Sequence, residues 1–266
     1  MIGTYCSFYF HAIYFLRRLF FTSGPAPFEI IMGNFITNLS YPCVAAAAVG
    51  VITIAYFRKQ QCRKVADETI FKEPPQREEC PICMLPLPLD AAEWKYQTCC
   101  GKTLCIGCIH AAFIADCRKL CPFCRAPEAT SDGERIERIK KRVEADDAIA
   151  IHTLGYYYSD GDMGFPQDHG KAMELWLRAG DLGHATAYGN IASNYRRGQG
   201  VERDTKKSKY YAELAAMGGH VNARHNLGVL EAQAGNMERA MKHLMISAGA
   251  GDDKSLEAIR RSFIGT

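Results

Sequence analysis

CPIC at residues 80–83, CC at 99–100, CIGC at 105–108 and CPFC at 121–124 place eight cysteines close together in this 266-residue chain. A Cys-x2-Cys pair on a tight turn directs both sulfurs at one metal ion, and four thiolates complete a tetrahedral zinc site. The eight cysteines are therefore enough to hold two zinc ions. Because the surrounding segment has little apolar content, zinc would supply much of its folding free energy, on the order of 10 kcal/mol or more.

The order of the pairs makes a cross-braced arrangement feasible, because only short loops separate them. One ion would take Cys80, Cys83, Cys105 and Cys108, and the other would take Cys99, Cys100, Cys121 and Cys124. Disulfides would require an oxidising compartment and do not explain four close pairs. An iron–sulfur cluster would use four thiols and leave the other four without a role. Cys117 is predicted to be a spare thiol, since no general base accompanies it in the sequence.

Residues 78–128 resemble the RING finger of ubiquitin ligases, on the strength of these motifs and of the arginine that follows the last cysteine. The resemblance covers about a fifth of the chain. Most RING fingers carry a histidine three residues before the fifth ligand, where this chain has Lys102, and a protonated lysine cannot bind zinc. The all-cysteine variant of the family has an extra cysteine just upstream, and Cys99-Cys100 is similar to it. His110 is an alternative ligand for the second site.

The resemblance implies a mechanism without a nucleophile on this chain. A RING finger binds a ubiquitin-conjugating enzyme that carries ubiquitin as a thioester, and it accelerates transfer by positioning. Ile82 and Pro122 match the family's apolar contacts to the conjugating enzyme. Arg125 matches the cation that bridges that enzyme and ubiquitin, a role that suits a planar guanidinium. Taken singly, Ile82, Pro122 and Arg125 are better explained by local packing, turn formation and a solvated surface charge. All three together, at the matching offsets, favour the functional interpretation.

The C-terminal half repeats itself with a period of about 36 residues. The matching positions are Ala150, Leu154, Tyr158 and Gly161 in the first copy, Ala187, Ile191, Tyr195 and Gly198 in the second, and Ala223, Leu227 and Gly235 in the third. Each copy is predicted to form a helix, a glycine turn and a second helix. Small and apolar residues at helical spacing predict a stripe that only stacked neighbours can bury.

The segment Gly198-Gln199-Gly200-Val201-Glu202-Arg203-Asp204 resembles the turn of a Sel1-like repeat, a relative of the tetratricopeptide repeat. We therefore expect an all-α solenoid of three Sel1-like repeats at 147–256, followed by a C-terminal tail at 257–266. Such a solenoid implies a concave surface that binds a protein or peptide substrate. The histidines of this region are scattered, and His184 and His220 are expected at helix-to-helix turns rather than at a metal.

A linker helix is predicted at 131–146, between the cysteine-rich segment and the repeats. Ser131-Asp132-Gly133 is typical of a helix start, and Ile136, Ile139 and Val143 form one apolar face. We expect this helix to hold the two parts of the chain at a defined distance from each other.

The N-terminal part is hydrophobic, and its prediction stays open between two alternatives. Residues 1–40 are an uncertain hydrophobic segment, and 41–57 are a candidate transmembrane helix at the short end of the usual length. Arg58, Lys59, Arg63 and Lys64 follow it, which would place the rest of the chain in the cytosol. The alternative is a soluble cytoplasmic protein. Residues 58–77 are predicted to be a basic, then mixed-charge linker, exposed as a tether from about Val65.

Composition and charge fit a modular, folded protein. The chain is 48% hydrophobic and has a net charge of +3, so nucleic acid is not a favoured partner. Two functions from different classes remain open. One is a ubiquitin ligase whose repeats select the substrate, and the other is a non-catalytic zinc-binding adaptor that assembles protein complexes.

Overall fold

The computed structural model describes residues 64–116 and 118–264, together with 56, 58, 60 and 61. The hydrophobic segment predicted at 1–40 and nearly all of the candidate transmembrane helix at 41–57 lie outside these residues. Within the described part, no helix combines the length and the apolar character needed to cross a membrane. Val65–Thr266 forms one compact unit, which contains both the cysteine-rich segment and the repeats.

Residues 78–128, which we call the cysteine module, are built around a short antiparallel hairpin. Strand β1 (Trp94–Gln97) pairs with β2 (Lys102–Cys105), and helix α1 (Ile106–Asp116) follows directly. A single turn of 3-10 helix at Ala91–Glu93 precedes the hairpin. The buried core consists of Cys80, Leu87 and Leu104. So small a core cannot by itself stabilise a fold of this length.

Eight further helices follow the module in the described part of the chain. They are α2 (Asp132–Glu144), α3 (Ala148–Asp160), α4 (His169–Asp181), α5 (Ala185–Arg197), α6 (Thr205–Met217), α7 (Val221–Gln233), α8 (Met237–Gly249) and α9 (Asp253–Ile264). Helices α3 to α8 form three consecutive pairs. The linker helix α2 lies within the predicted range 131–146 and is capped by the Ser131 side chain, which accepts a hydrogen bond from the Glu134 N–H.

The sequence period of the repeats corresponds to equivalent buried positions in the three helix pairs. On the first helix of each pair these are Ala150, Ala187 and Ala223; on the second they are Ala172, Ser208 and Ala240, then Trp176, Ala212 and Leu244, then Ala179, Ala215 and Ser247. Every one of these side chains is at least nine-tenths buried. The repeats therefore form a continuous core through contacts between neighbouring pairs.

Glycine is required where two helices of one pair approach most closely. A Cβ atom on Gly155 would lie 2.7 Å from the Trp176 Nε1 atom, and one on Gly228 would lie 2.8 Å from the Leu244 Cγ atom. The equivalent residue of the middle pair is Ala192, which is also buried. Glycine at this position thus makes room for Trp176 in the first pair and for Leu244 in the third.

Two segments differ from the sequence prediction. Residues 65–70 are helical, and Ile70 is buried against the repeats with 6% of its surface exposed, so the start of the predicted linker is not an exposed tether. Residues 257–264 belong to helix α9 rather than to a tail. In both places, packing against other parts of the unit supplies the order that local sequence does not indicate.

Candidate metal centre

The first and last cysteine pairs lie on two turns with the same backbone geometry. In the first turn, the Met84 N–H donates to the Cys80 carbonyl (2.8 Å) and the Cys80 N–H donates to the Leu85 carbonyl (2.9 Å). In the last, the Arg125 N–H donates to the Cys121 carbonyl (2.9 Å) and the Cys121 N–H donates to the Ala126 carbonyl (2.8 Å). Each turn thus presents two sulfurs on one side, as a pair of metal ligands requires.

The residue that closes each turn has a left-handed backbone. Met84 has φ 57° and Arg125 has φ 61°. This conformation is unusual for a residue other than glycine, asparagine or aspartate, and it is retained only where the surrounding structure compensates for it. The two turns are therefore equivalent at the backbone and differ in the side chains that they expose.

The structure brings the eight cysteines into two groups of four. The first thiol site comprises Cys80, Cys83, Cys105 and Cys108, and the second comprises Cys99, Cys100, Cys121 and Cys124, with the sulfurs of each site within 4.8 Å of one another. Each site takes one pair from a turn and one from the hairpin region, so the two sites interlock along the chain. This division is the same as the cross-braced arrangement expected from the sequence.

The distances between sulfurs match what a zinc ion requires. A tetrahedral site with zinc-to-sulfur bonds of about 2.3 Å places its sulfurs roughly 3.8 Å apart. The Cys83 and Cys105 sulfurs are 3.8 Å apart, and so are those of Cys100 and Cys121. The Cys99 and Cys124 sulfurs are 3.4 Å apart, which is slightly closer. The donor set of each site therefore fits a zinc ion in both number and spacing.

Clustering of the thiols changes the pKa of several of them, in both directions. Burial raises the pKa of Cys108 to about 12, and hydrogen bonds with the other three thiols of the first site act in the same direction. Burial and the thiols of Cys124 and Cys121 also raise the pKa of Cys99. Burial of Cys80 has the same tendency, but backbone N–H groups that donate to its sulfur lower its pKa to about 6. A divalent cation would favour the thiolate form of all eight.

The three residues matched to the conjugating-enzyme surface all lie on the two turns. Ile82 is 43% exposed, which is unusual for an isoleucine, and Arg125 is also exposed. Pro122 lines a groove of about 710 Å³ together with Ile106, Ile109 and Phe113 of helix α1. Ile82 does not line this groove. The structure therefore places Pro122 beside the apolar face of α1 and Ile82 on the other turn.

Neither Lys102, at the position where most RING fingers have a histidine, nor the alternative ligand His110 joins a thiol site. Lys102 places its ammonium group 5.9 Å from the centre of the Phe123 ring, a cation–π arrangement, rather than near a sulfur. His110 lines the groove and is not part of either group. In the described part of the chain no histidine belongs to a group of metal-ligand spacing. His184 and His220 instead occupy the N-cap positions directly before helices α5 and α7, as expected for turn residues.

Side chains that join the cysteine module to the repeats were not identified from the sequence. Arg142 of α2 donates to the Cys99 carbonyl (2.8 Å), and the Tyr96 hydroxyl donates to the Asp147 carboxylate (2.6 Å). Asp147 also caps helix α3. Gly101 has φ 70°, and a Cβ atom there would lie 2.6 Å from the same carboxylate, so both the backbone and the close contact favour glycine. The turn that carries the Cys99-Cys100 pair thus rests directly on the start of the first repeat.

Comparison with known families bears on the helical region. Residues 148–184 and 185–220 match the family model for the Sel1 repeat. The C-terminal region carries Sel1-like repeats. This confirms the prediction of an all-α solenoid of such repeats, and the boundary between the two matched copies falls between helices α4 and α5. Sel1-like repeats indicate a role in protein binding. The family-model match does not extend to the cysteine module.

Two curated relatives share part of the sequence. The chain is 26% identical over 113 residues to the ERAD-associated E3 ubiquitin-protein ligase component HRD3B of Arabidopsis thaliana. It is 38% identical over 58 residues to chitin synthase regulatory factor 3 of Schizosaccharomyces pombe. These matches cover 42% and 22% of this chain. The chain spans only 18% and 6% of the lengths of the two relatives.

Among solved structures, a Sel1 repeat protein from Oxalobacter formigenes is 26% identical, with a TM-score of 0.44 over 47% of this chain and 52% of that one. The protective antigen c5321 of uropathogenic Escherichia coli is 28% identical. Its TM-score is also 0.44, over 49% of this chain and 29% of that one.

Proposed function

We propose that this chain is a RING-type ubiquitin-protein ligase. The cysteine module binds a ubiquitin-conjugating enzyme charged with ubiquitin, and the Sel1-like repeats hold the protein that receives the ubiquitin. The observation that carries this proposal is the interlocked division of eight thiols into two sites of zinc spacing, with Ile82, Pro122 and Arg125 on the two turns that the sites hold. The Sel1-like repeats supply the protein-binding part.

In this proposal the two zinc ions have a structural role. Held by the eight cysteines, they would fix the two turns relative to the hairpin and to α1. Ile82 and Pro122 then offer rigid apolar contacts to the conjugating enzyme. The Arg125 guanidinium donates hydrogen bonds to conjugating enzyme and ubiquitin together, which restricts the thioester to conformations that a lysine amine can attack. The chain itself forms no covalent intermediate.

The relative from Arabidopsis thaliana is consistent with a role in ubiquitin transfer, because its name places it in a ubiquitin ligase. The same name calls that protein a component, which favours a second candidate function. In that case this chain is a non-catalytic zinc-binding adaptor, whose module and repeats assemble complexes around another enzyme.

The membrane segment predicted at 41–57 would hold either a ligase or an adaptor at a membrane, with the module and the repeats in the cytosol. The alternative is a soluble cytoplasmic protein.

Ubiquitin transfer by the purified chain, with a panel of conjugating enzymes, tests the proposal. We expect Arg125→Asn to slow self-ubiquitination by about 10-fold or more, because hydrogen bonds to charged groups contribute roughly 1.5–3 kcal/mol. Asparagine suits the left-handed backbone at this position, so the substitution adds little strain. Met84→Asn is the matched control, since Met84 has the same backbone conformation on the other turn.

A second pair of variants tests the apolar contact. Ile82→Ala is expected to weaken transfer, and Phe123→Ala, at the equivalent position of the last turn, is its control. If the wild-type chain transfers ubiquitin with none of the conjugating enzymes, the adaptor function replaces the ligase. Equal losses for each variant and its control would assign the effect to folding of the turns.

A further inference from the structure

A short segment that precedes the cysteine module is bound by the last two repeats. Residues 65–70 form a helical turn, in which the Thr69 hydroxyl donates to the Val65 carbonyl (2.9 Å), and the Phe71 N–H donates to the Asp67 carbonyl (2.9 Å). The residues that surround this segment come from helices α5 to α8, more than 100 positions later in the chain. We call residues 65–71 the docked segment.

The docked segment inserts one apolar side chain into the repeats. Ile70 is 6% exposed and belongs to a buried cluster with Ala192, Ala212, Ala215, Ala216, Ala223 and Leu227. Arg224 lies beneath it, with 2% of its surface exposed, and donates to the Ile70 carbonyl (2.5 Å) and the Ala216 carbonyl (2.7 Å). A buried guanidinium thus joins the backbone of the docked segment to the backbone of helix α6.

Charged and aromatic side chains of helix α8 contact the residues on both sides of Ile70. The Phe71 ring lies 4.6 Å from the His243 ring, and the Arg239 guanidinium and Lys242 ammonium lie 5.4 Å and 5.6 Å from its centre. Arg239 also forms an ion pair with Asp67. The repeats therefore recognise an acidic residue, an apolar residue three positions later, an aromatic residue next to it and a backbone carbonyl, all within five residues.

The docked segment leaves part of its site unsatisfied. His243 is fully buried beside Phe71, and neither of its ring nitrogens has a hydrogen-bond partner. A buried polar group without a partner costs free energy that a better ligand recovers. The docked segment thus leaves the buried His243 imidazole without a hydrogen bond.

We propose that the docked segment is an intramolecular ligand and that the repeats bind a partner peptide at the same site, on helices α5 to α8. The partner peptide has the same pattern as the docked segment, an acidic residue followed three positions later by two apolar residues. This deepens the proposed function, because it names the surface that recruits the protein partner. A tethered ligand competes at an effective concentration of about millimolar, so a partner must displace it. The bound segment therefore makes recruitment selective for partners that fit the site better than it does.

Binding of a fluorescein-labelled peptide with the sequence of residues 64–73 tests the proposal by fluorescence anisotropy. The full chain with Ile70→Ala and Phe71→Ala is expected to bind the peptide at least 10-fold more tightly than the wild type, because its own segment no longer competes. The matched control carries Glu68→Ala and Lys72→Ala, at exposed positions of the same segment, and should behave as the wild type. Adding Arg224→Gln to the first variant should reverse the gain.

Hydrogen exchange on the unmodified chain provides a measurement that does not depend on a variant folding. Unlabelled peptide at several millimolar should increase amide exchange at residues 65–71 while helices α7 and α8 stay protected. No change in exchange, or no gain in affinity by the folded Ile70→Ala/Phe71→Ala variant, would show that the segment is a permanent part of the repeat core and overturn the proposal. Neither the anisotropy measurement nor the hydrogen-exchange measurement depends on ubiquitin transfer. A failure of the peptide-binding proposal is therefore distinguishable from a failure of the proposed ligase function.

Discussion

The cysteine module and the Sel1-like repeats, although they lie in one compact unit, reach a folded state by opposite means. The hydrophobic cluster of the module contains Cys80, Leu87 and Leu104, and its eight cysteines form two groups of four. The repeats bury small and apolar side chains at every equivalent position of three helix pairs. From this difference we expect the fold of the module to depend on bound metal ions and the fold of the repeats to depend on side-chain packing.

Removal of metal should break the comparison most strongly. We expect two zinc ions per purified chain, and a chelator should unfold the module, since structural zinc contributes on the order of 10 kcal/mol to small domains. The helical circular dichroism of the repeats should persist, while limited proteolysis should cut within residues 78–128. Cys105→Ser should lower the zinc content, whereas Cys117→Ser, outside the eight ligands, should not. Fewer than one zinc per chain would contradict the proposed metal centre.

Removal of one large core side chain should destabilise the repeats and leave the cysteine module folded. Trp176 is 3% exposed and its indole N–H donates to the His152 carbonyl (3.2 Å). Trp176→Ala should lower the free energy of unfolding of the repeats by about 3–5 kcal/mol, because it leaves a cavity and an unpaired carbonyl. Urea unfolding followed by circular dichroism measures this. Tyr156→Ala, on the same helix pair but 47% exposed, should change it little. If Trp176→Ala and Tyr156→Ala both lowered the zinc content by the same amount, the module and the repeats would not be stabilised separately.

Acid should destabilise the repeats through their buried histidines. Burial lowers the pKa of His152 to about 3 and that of His184 to about 4, and the charge of His220 acts in the same direction on both. Above pH ~6.5 both histidines are neutral whether the chain is folded or unfolded. Below pH ~6.5, these histidines take up protons readily only in the unfolded chain. For each histidine, the free energy of unfolding therefore falls by about 1.4 kcal/mol per pH unit, until the pH reaches the pKa of that histidine in the folded chain.

The variant His184→Asn sharpens this test. Asparagine is favourable at the N-cap of a helix, the position where His184 makes no capping hydrogen bond, so stability near neutral pH should be kept. The loss of stability between pH 7 and pH 5.5, measured by urea unfolding, should be smaller than in the wild type. His110→Asn, at an exposed position of the module, is the control. An unchanged pH dependence in the His184 variant would show that the acid effect arises elsewhere.

The smallest expected effect concerns the contact between the two regions. Arg142→Ala removes the hydrogen bond to the Cys99 carbonyl and should cost about 1 kcal/mol. Amide exchange at residues 99–101 should increase, while zinc content and repeat stability stay close to wild type. Lys141→Ala, at the neighbouring exposed position, should leave exchange unchanged. If both variants behave alike, the module does not depend on α2 for its position.

Local patterns allowed the two regions to be predicted, and contacts distant in sequence were missed. The cysteine spacing indicated two groups of four, and the 36-residue period indicated the helix pairs. No local signal connects Ile70 with Arg224 or Tyr96 with Asp147, since each pair meets only after the chain has folded. The same reason explains residues 257–264, which are polar enough to resemble a tail until their helix packs on α8.

The amino-acid sequence is sufficient to identify the cysteines that can hold a metal and the residues that repeat at helical spacing, because ligand chemistry and periodicity are properties of neighbouring positions. The contact of residues 65–71 with the repeats and the contact of the Cys99-Cys100 turn with the first repeat became evident from the folded chain. Those arrangements depend on the direction of side chains such as Arg224 and Arg142 across elements far apart in sequence, and burial and hydrogen-bond geometry select that direction after the helices have packed.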